Sequence, residues 1–195
     1  MMDDLLVEID AERMKVARTF RVTAGKEEGF TGMAPRAGAA TEHQGMNMND
    51  VTCQPTWAQP AVDAKLVFVA CNKSSEIVEI DAGSWSLVKR IPAGNGVYNL
   101  GVSRDGKLLV ATNKRDASVS IIEIAAGKEL AKIPTRRKVV HGVAVSPDSR
   151  YAFVTVEGVG DAPGTVEIID LDVRKNLASV DTPPQAAGID FWKME

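Results

Sequence analysis

His141-Gly-Val-Ala-Val-Ser-Pro-Asp-Ser-Arg-Tyr-Ala-Phe-Val-Thr155 decides the fold. Two apolar runs flank a Ser-Pro-Asp-Ser turn, which is the pattern of two short strands joined by a tight reversal. The same pattern occurs twice more upstream. Val102-Ser-Arg-Asp105-Gly precedes Lys107-Leu-Leu-Val-Ala-Thr112, and Pro60-Ala-Val-Asp63 precedes Lys65-Leu-Val-Phe-Val-Ala-Cys71. The three aspartates are 42 and 43 residues apart, so the chain is an internal repeat. Each unit continues with a third apolar run, at Ile77–Ile80, Val119–Ile124 and Thr165–Ile169. A fourth follows at Leu87–Ile91, Leu130–Ile133 and Leu177–Val180. Four short strands per unit, with turn residues between them, describe the blade of a β-propeller. The turn aspartates are expected to cap local backbone N–H groups.

Working outward, Leu5–Asp10 and Lys15–Val22 match the third and fourth strands of a unit, and Gly188-Ile-Asp-Phe-Trp192 matches a first strand. The expected organisation is a partial blade at 1–22, a long loop at 23–52, blades at 53–97, 98–140 and 141–187, and a further first strand at 188–195. No second strand is visible for a closing blade, which predicts an arc with open edges that self-associates. Residues 23–52 contain few large apolar side chains, so removal of 27–48 is expected to leave the β structure intact.

These repeats resemble the YVTN-repeat β-propellers, relatives of surface-layer and cytochrome d1-type propellers. The resemblance rests on 141–154, on Gly164-Thr-Val-Glu-Ile-Ile-Asp170 and on the ending from Gly188. It implies a propeller of about seven blades and an exported protein. The chain shows three whole units and no secretion signal at Met1-Met-Asp-Asp-Leu-Leu6, which points to a fragment of a larger propeller.

Composition narrows the partners. The net charge of −3 gives no basic footprint for nucleic acid, and no apolar run approaches a membrane span. The fourth-to-first and second-to-third connections share one face, which collects the longer loops. The candidate ligand-binding residues there are Asn72, Lys73, Tyr98, Asn99, Asn113, Lys114 and His141. Asn72-Lys73 and Asn113-Lys114 read as one repeated turn, in which asparagine suits a positive φ. Tyr98, His141 and Thr56 occupy equivalent positions at the starts of first strands, so they form no repeated ligand set.

His43, Met46 and Met48 are soft-ligand candidates for Cu(I), but their spacing matches no metal motif. Two histidines in the whole chain do not support haem, and no cofactor is expected. Neither a Ser-His-Asp spacing nor a phosphate loop appears. The expected function is a non-catalytic binding or scaffold module acting through the loop-rich face. The alternative is a lactonase-like or other small-molecule hydrolase with its site at the central channel. Cys53 and Cys71 lie nine residues either side of Val62, across one hairpin, where opposed Cα atoms are about 4.5 to 5.5 Å apart. A disulfide between them is expected, and with it a periplasmic or secreted location.

Overall fold

The computed structural model describes residues 4–35 and 52–192, and all regular structure among them is β. The first sheet holds β1 (Leu5–Asp10), β2 (Lys15–Arg21) and β3 (Glu28–Thr31). The second holds β4 (Pro55–Pro60), β5 (Leu66–Cys71), β6 (Glu76–Asp81) and β7 (Ser86–Pro92). The third runs β8 (Val97–Val102), β9 (Leu108–Asn113), β10 (Ser118–Glu123) and β11 (Lys128–Pro134). The fourth runs β12 (Val139–Val145), β13 (Tyr151–Glu157), β14 (Gly164–Asp170) and β15 (Lys175–Thr182). Within each sheet the strands follow chain order and are antiparallel, as in a propeller blade.

The local chemistry repeats with the chain. In the first-to-second turns, Asp63, Asp105 and Asp148 each accept the N–H two residues on, from Lys65, Lys107 and Arg150. The residue after each aspartate is left-handed: Ala64, Gly106 and Ser149 have φ of 57°, 72° and 63°. The third-to-fourth turns place Trp85, Gly127 and Arg174 in the same conformation. Met14 repeats it between β1 and β2. The β1–β2 ladder also carries a register shift at Glu8/Ile9, matching those at Glu79/Ile80, Ile121/Ile122 and Ile168/Ile169. Turn and bulge together identify β1 and β2 as a third-and-fourth strand pair.

The sheets stack face to face, and the apolar core lies in the gaps between them. Phe20, Val69, Val78 and Ile80 fill the first gap. Phe68, Ile77, Leu100 and Leu109 fill the second. Val110, Ile121, Val154 and Ile169 fill the third. Strand residues on both faces are therefore buried, which explains near-continuous apolar runs such as Leu66–Cys71.

Three expectations need correction. The segment read as a loop over 23–52 contains β3, which pairs with β2 on the side away from β1. Gly29 of β3 sits so close to Trp85 that an added Cβ would lie 2.4 Å from its carbonyl oxygen. Glu27, just before β3, ion-pairs with Arg90 at 2.7 Å. Residues 27–31, within the segment expected to be removable, are therefore not structurally idle, and 36–48 lie outside the described residues. Residues 188–192 form no strand, yet they lie where the next first strand belongs. Thr155 donates its hydroxyl to the Ala187 carbonyl as Thr112 does to that of His141 one unit earlier. A first strand needs a second to pair with, and the described residues supply none. Finally, Cys53 lies before β4, whose Pro55 is the residue paired with Cys71. Gln54, at φ 51°, turns the chain there and brings the cysteine Cα atoms to 4.3 Å. The Cys53–Cys71 disulfide is formed and both residues are fully buried.

Candidate ligand-binding face

The inner strands present their starts to the loop-rich face, and two sheets bring four polar side chains together there. Tyr98 is the second residue of β8 and His141 the third of β12, so both sit inside their strands rather than before them. Their rings lie 4.8 Å apart. Lys114, just past β9, places its ammonium 4.5 Å from the centre of the Tyr98 ring. Glu157 ends β13 and approaches His141 Nε2 to 3.3 Å and Lys114 Nζ to 4.0 Å. The His141 Nδ1 atom is 3.1 Å from the Ala187 carbonyl. Lys114, His141 and Glu157 are each between a fifth and a third exposed, so the group is fixed by its neighbours yet reachable from solvent. A carboxylate shared by two potential cations, beside an aromatic face, is suited to polar and anionic groups.

The other predicted residues separate. Asn72 donates its amide to the carbonyls of Gly96 and Val97, and its own carbonyl accepts from Arg115. Its role is to tie the second sheet to the loop entering β8. The Lys73 N–H donates to the Cys53 carbonyl. Asn113 is fully buried, donates to Ser118 and Ser120 and lies directly beneath Gly94. It cannot meet an external ligand. Asn99 is 5% exposed and belongs to the same interior. Strand register also separates the two asparagine-lysine pairs. Asn113 pairs with Ser118 where Cys71 pairs with Glu76, so Asn113 is the counterpart of Cys71 and not of Asn72. The left-handed residues of these turns are Ser75 and Ala117 rather than asparagines. His43, Met46 and Met48 lie outside the described residues. Among those described, no group of three or more His, Cys, Asp or Glu could hold a metal ion.

Sequence reading did not select Glu157 as a site residue. It occurs in only one unit, so no repeat advertised it, and its role appears only when β13 is set beside β12.

Arg136 and Arg137 on this face share Asp181, at 3.4 and 3.1 Å, while Lys138 makes no ion pair among the described residues. Below them Glu167 is fully buried, accepting from the Arg136 N–H at 2.6 Å and from the Asn176 amide. Burial pushes its carboxyl above the ordinary range, more than these donors pull it down. At the other end of the arc, Asp4 accepts N–H groups from Thr52, Cys53 and Gln54 at 2.7 to 2.9 Å. Burial alone would raise its carboxyl, but these donors together hold it below the ordinary value.

No family model matches the chain, and no curated protein matches it. Solved structures do. Hydrazine synthase from Kuenenia stuttgartiensis aligns with a TM-score of 0.64 at 20% identity, over 76% of this chain and 41% of that one. The structure of U3-55K aligns at 0.62 and 18%, over 71% of this chain and 42% of that one. The WD40 repeats of RRP9 align at 0.61 and 17%, again over 71% and 42%. The chain thus spans about two fifths of each of these structures. Likeness at this level shows the fold: the chain is a stretch of β-propeller, with three four-stranded blades and partial units flanking them.

Proposed function

We propose that the protein is a non-catalytic propeller module of the YVTN-repeat kind that binds a partner through its loop-rich face. The observation carrying this reading is the Tyr98–Lys114–His141–Glu157 group, assembled from two blades and partly open to solvent. Its mixture of aromatic, cationic and anionic groups suits a polar protein surface better than an apolar one. Lys138, which makes no ion pair among the described residues, adds an anchoring cation at the rim. The larger propeller, the exported location and the Lys73 and Asn72 turn as a flank of the site belong to the same reading. The Cys53–Cys71 bond is compatible with an oxidising compartment.

The wild-type protein and a Tyr98→Ala/His141→Ala double variant, immobilised as baits in extracellular or periplasmic fractions of the source, test this. A species retained by the wild type and reduced at least tenfold on the variant supports the reading. Equal retention on both baits overturns it.

The second reading is a hydrolase, for which the His141–Glu157 contact supplies a histidine and a carboxylate, although Nδ1 must first leave the Ala187 carbonyl to serve as a base. Turnover of lactones or esters that His141→Ala abolishes would establish that reading instead.

A further inference from the structure

A concavity of about 450 Å³ opens on the opposite face, at the tight-turn ends of the inner strands. Its wall is built by the repeat itself. Pro60, Val102 and Val145 are the last residues of β4, β8 and β12, and each pairs with the second residue of the following strand. Phe191 extends the series. It lies four residues past Ala187, as Val145 lies four past His141, and Ala187 and His141 accept equivalent threonine hydroxyls. Four successive units thus contribute one apolar tier. Phe191 is held there against Phe153, with ring centres 5.9 Å apart.

One charged residue lines this concavity. Arg104 is exposed at the rim and makes no ion pair among the described residues. Its equivalents in the neighbouring units are Val62 and Pro147, so the cation replaces an apolar residue at this repeat position, with Gln59 and Ser146 as the other polar residues of the lining. Its backbone is fixed, because the next N–H, of Asp105, donates to the Ser149 hydroxyl of the adjacent blade at 3.0 Å. The nearby turn carboxylates are engaged: Asp105 with Ser103 and Lys107, Asp148 with Ser146 and Arg150. Trp192, 92% exposed, stands at the mouth as a flat apolar surface.

We infer that this concavity binds a small amphipathic organic anion. An aromatic or branched body lies against Pro60, Val102, Val145 and Phe191, and its carboxylate meets the Arg104 guanidinium. The volume falls within the usual range of small-molecule sites, about 300 to 1,000 Å³. A guanidinium with free donors at the edge of an apolar wall selects a planar carboxylate over a neutral group of the same shape.

Calorimetry and tryptophan fluorescence with 2-naphthoate, and with neutral 2-naphthylmethanol as its uncharged counterpart, test the site. The expected result is saturable 1:1 binding of naphthoate, at least tenfold tighter than the alcohol. Arg104→Ala, with unchanged circular dichroism and melting, should weaken naphthoate at least tenfold, and Arg104→Lys should restore part of the loss. Arg115→Ala, on the other face and outside the Tyr98–Lys114–His141–Glu157 group, should leave the affinity unchanged, which shows that the effect of Arg104→Ala is local to this site. Absence of saturable binding, equal affinity for the alcohol, or an undiminished Arg104→Ala would overturn the inference.

Discussion

Two buried carboxylates do opposite things at the scale of single residues. Asp4 is satisfied by three backbone donors on the segment that carries the disulfide, so its charged form is the one the fold prefers. A carboxyl lowered in the folded state stabilises above its unfolded value, near pH 4, and loses that contribution as pH falls through the folded value. Asp4→Asn should therefore cost about 2 kcal/mol at neutral pH, with the difference from wild type vanishing in acid. Urea midpoints measured across this range check it. Glu167 is raised instead, because burial outweighs its donors. Its contribution is fully present below the ordinary glutamate value and is lost as pH rises through the raised one. Glu167→Gln keeps the acceptor for Arg136, while the Asn176 amide can turn to meet the new donor. Relative to wild type, this variant should gain stability as pH rises from the ordinary glutamate value through the raised one, read from the same midpoints.

At the scale of elements, the tie between the first two sheets is the part most open to test. Trp85 donates its indole N–H to the Thr19 carbonyl, meets Phe20 edge-on at 6.3 Å and lies under Arg18 at 4.3 Å. Gly29→Ala would drive a methyl into this residue, and is expected to cost about 1–3 kcal/mol. Thermal melting of the single variant measures it. Replacing both cysteines by alanine removes a bridge across 18 residues and should cost about 3 kcal/mol under the chain-entropy account. The difference between wild type and variant under non-reducing conditions reads it directly. These elements also mark where the sequence was legible. The turn aspartates and the strand runs could be read because each unit restates the same local rule (cap, left-handed residue, apolar run), and the cysteine pair because its members lie equally far from one hairpin turn. β3 has no counterpart in other units, and Glu-Gly-Phe-Thr is too short and polar to signal a strand alone. Its stability comes from pairing with β2 and from Trp85, which is remote in sequence. The asparagine pairs misled for the opposite reason. Their dipeptides repeat but their registers do not, and only ladder pairing distinguishes a buried amide from a loop tie. Tyr98, Lys114 and His141, expected on the loop-rich face, lie beside one another in the structure. Glu157 joins His141 through the pairing of β13 with β12, and reaches Lys114 through the packing of one blade on the next.

At the scale of the whole molecule, β1 is paired on one side only among the described strands, whereas its counterparts β6, β10 and β14 are paired on both. Val7 and Ile9 on β1 are 41% and 63% exposed. An uncovered edge of this kind invites strand addition. The 195-residue chain should therefore associate with rising concentration, and Ile9→Lys should reduce it, as light scattering would show. A monodisperse wild-type monomer at all concentrations would exclude an available edge. The central claim concerns which face of the arc recognises a partner. A photo-crosslinking residue placed at Lys138, beside the Tyr98–Lys114–His141–Glu157 group, can be compared with one at Ala125, in a third-to-fourth turn on the opposite face. Adducts to a partner protein from position 138 and none from position 125 are the predicted result. Adducts from position 125 alone would contradict the account.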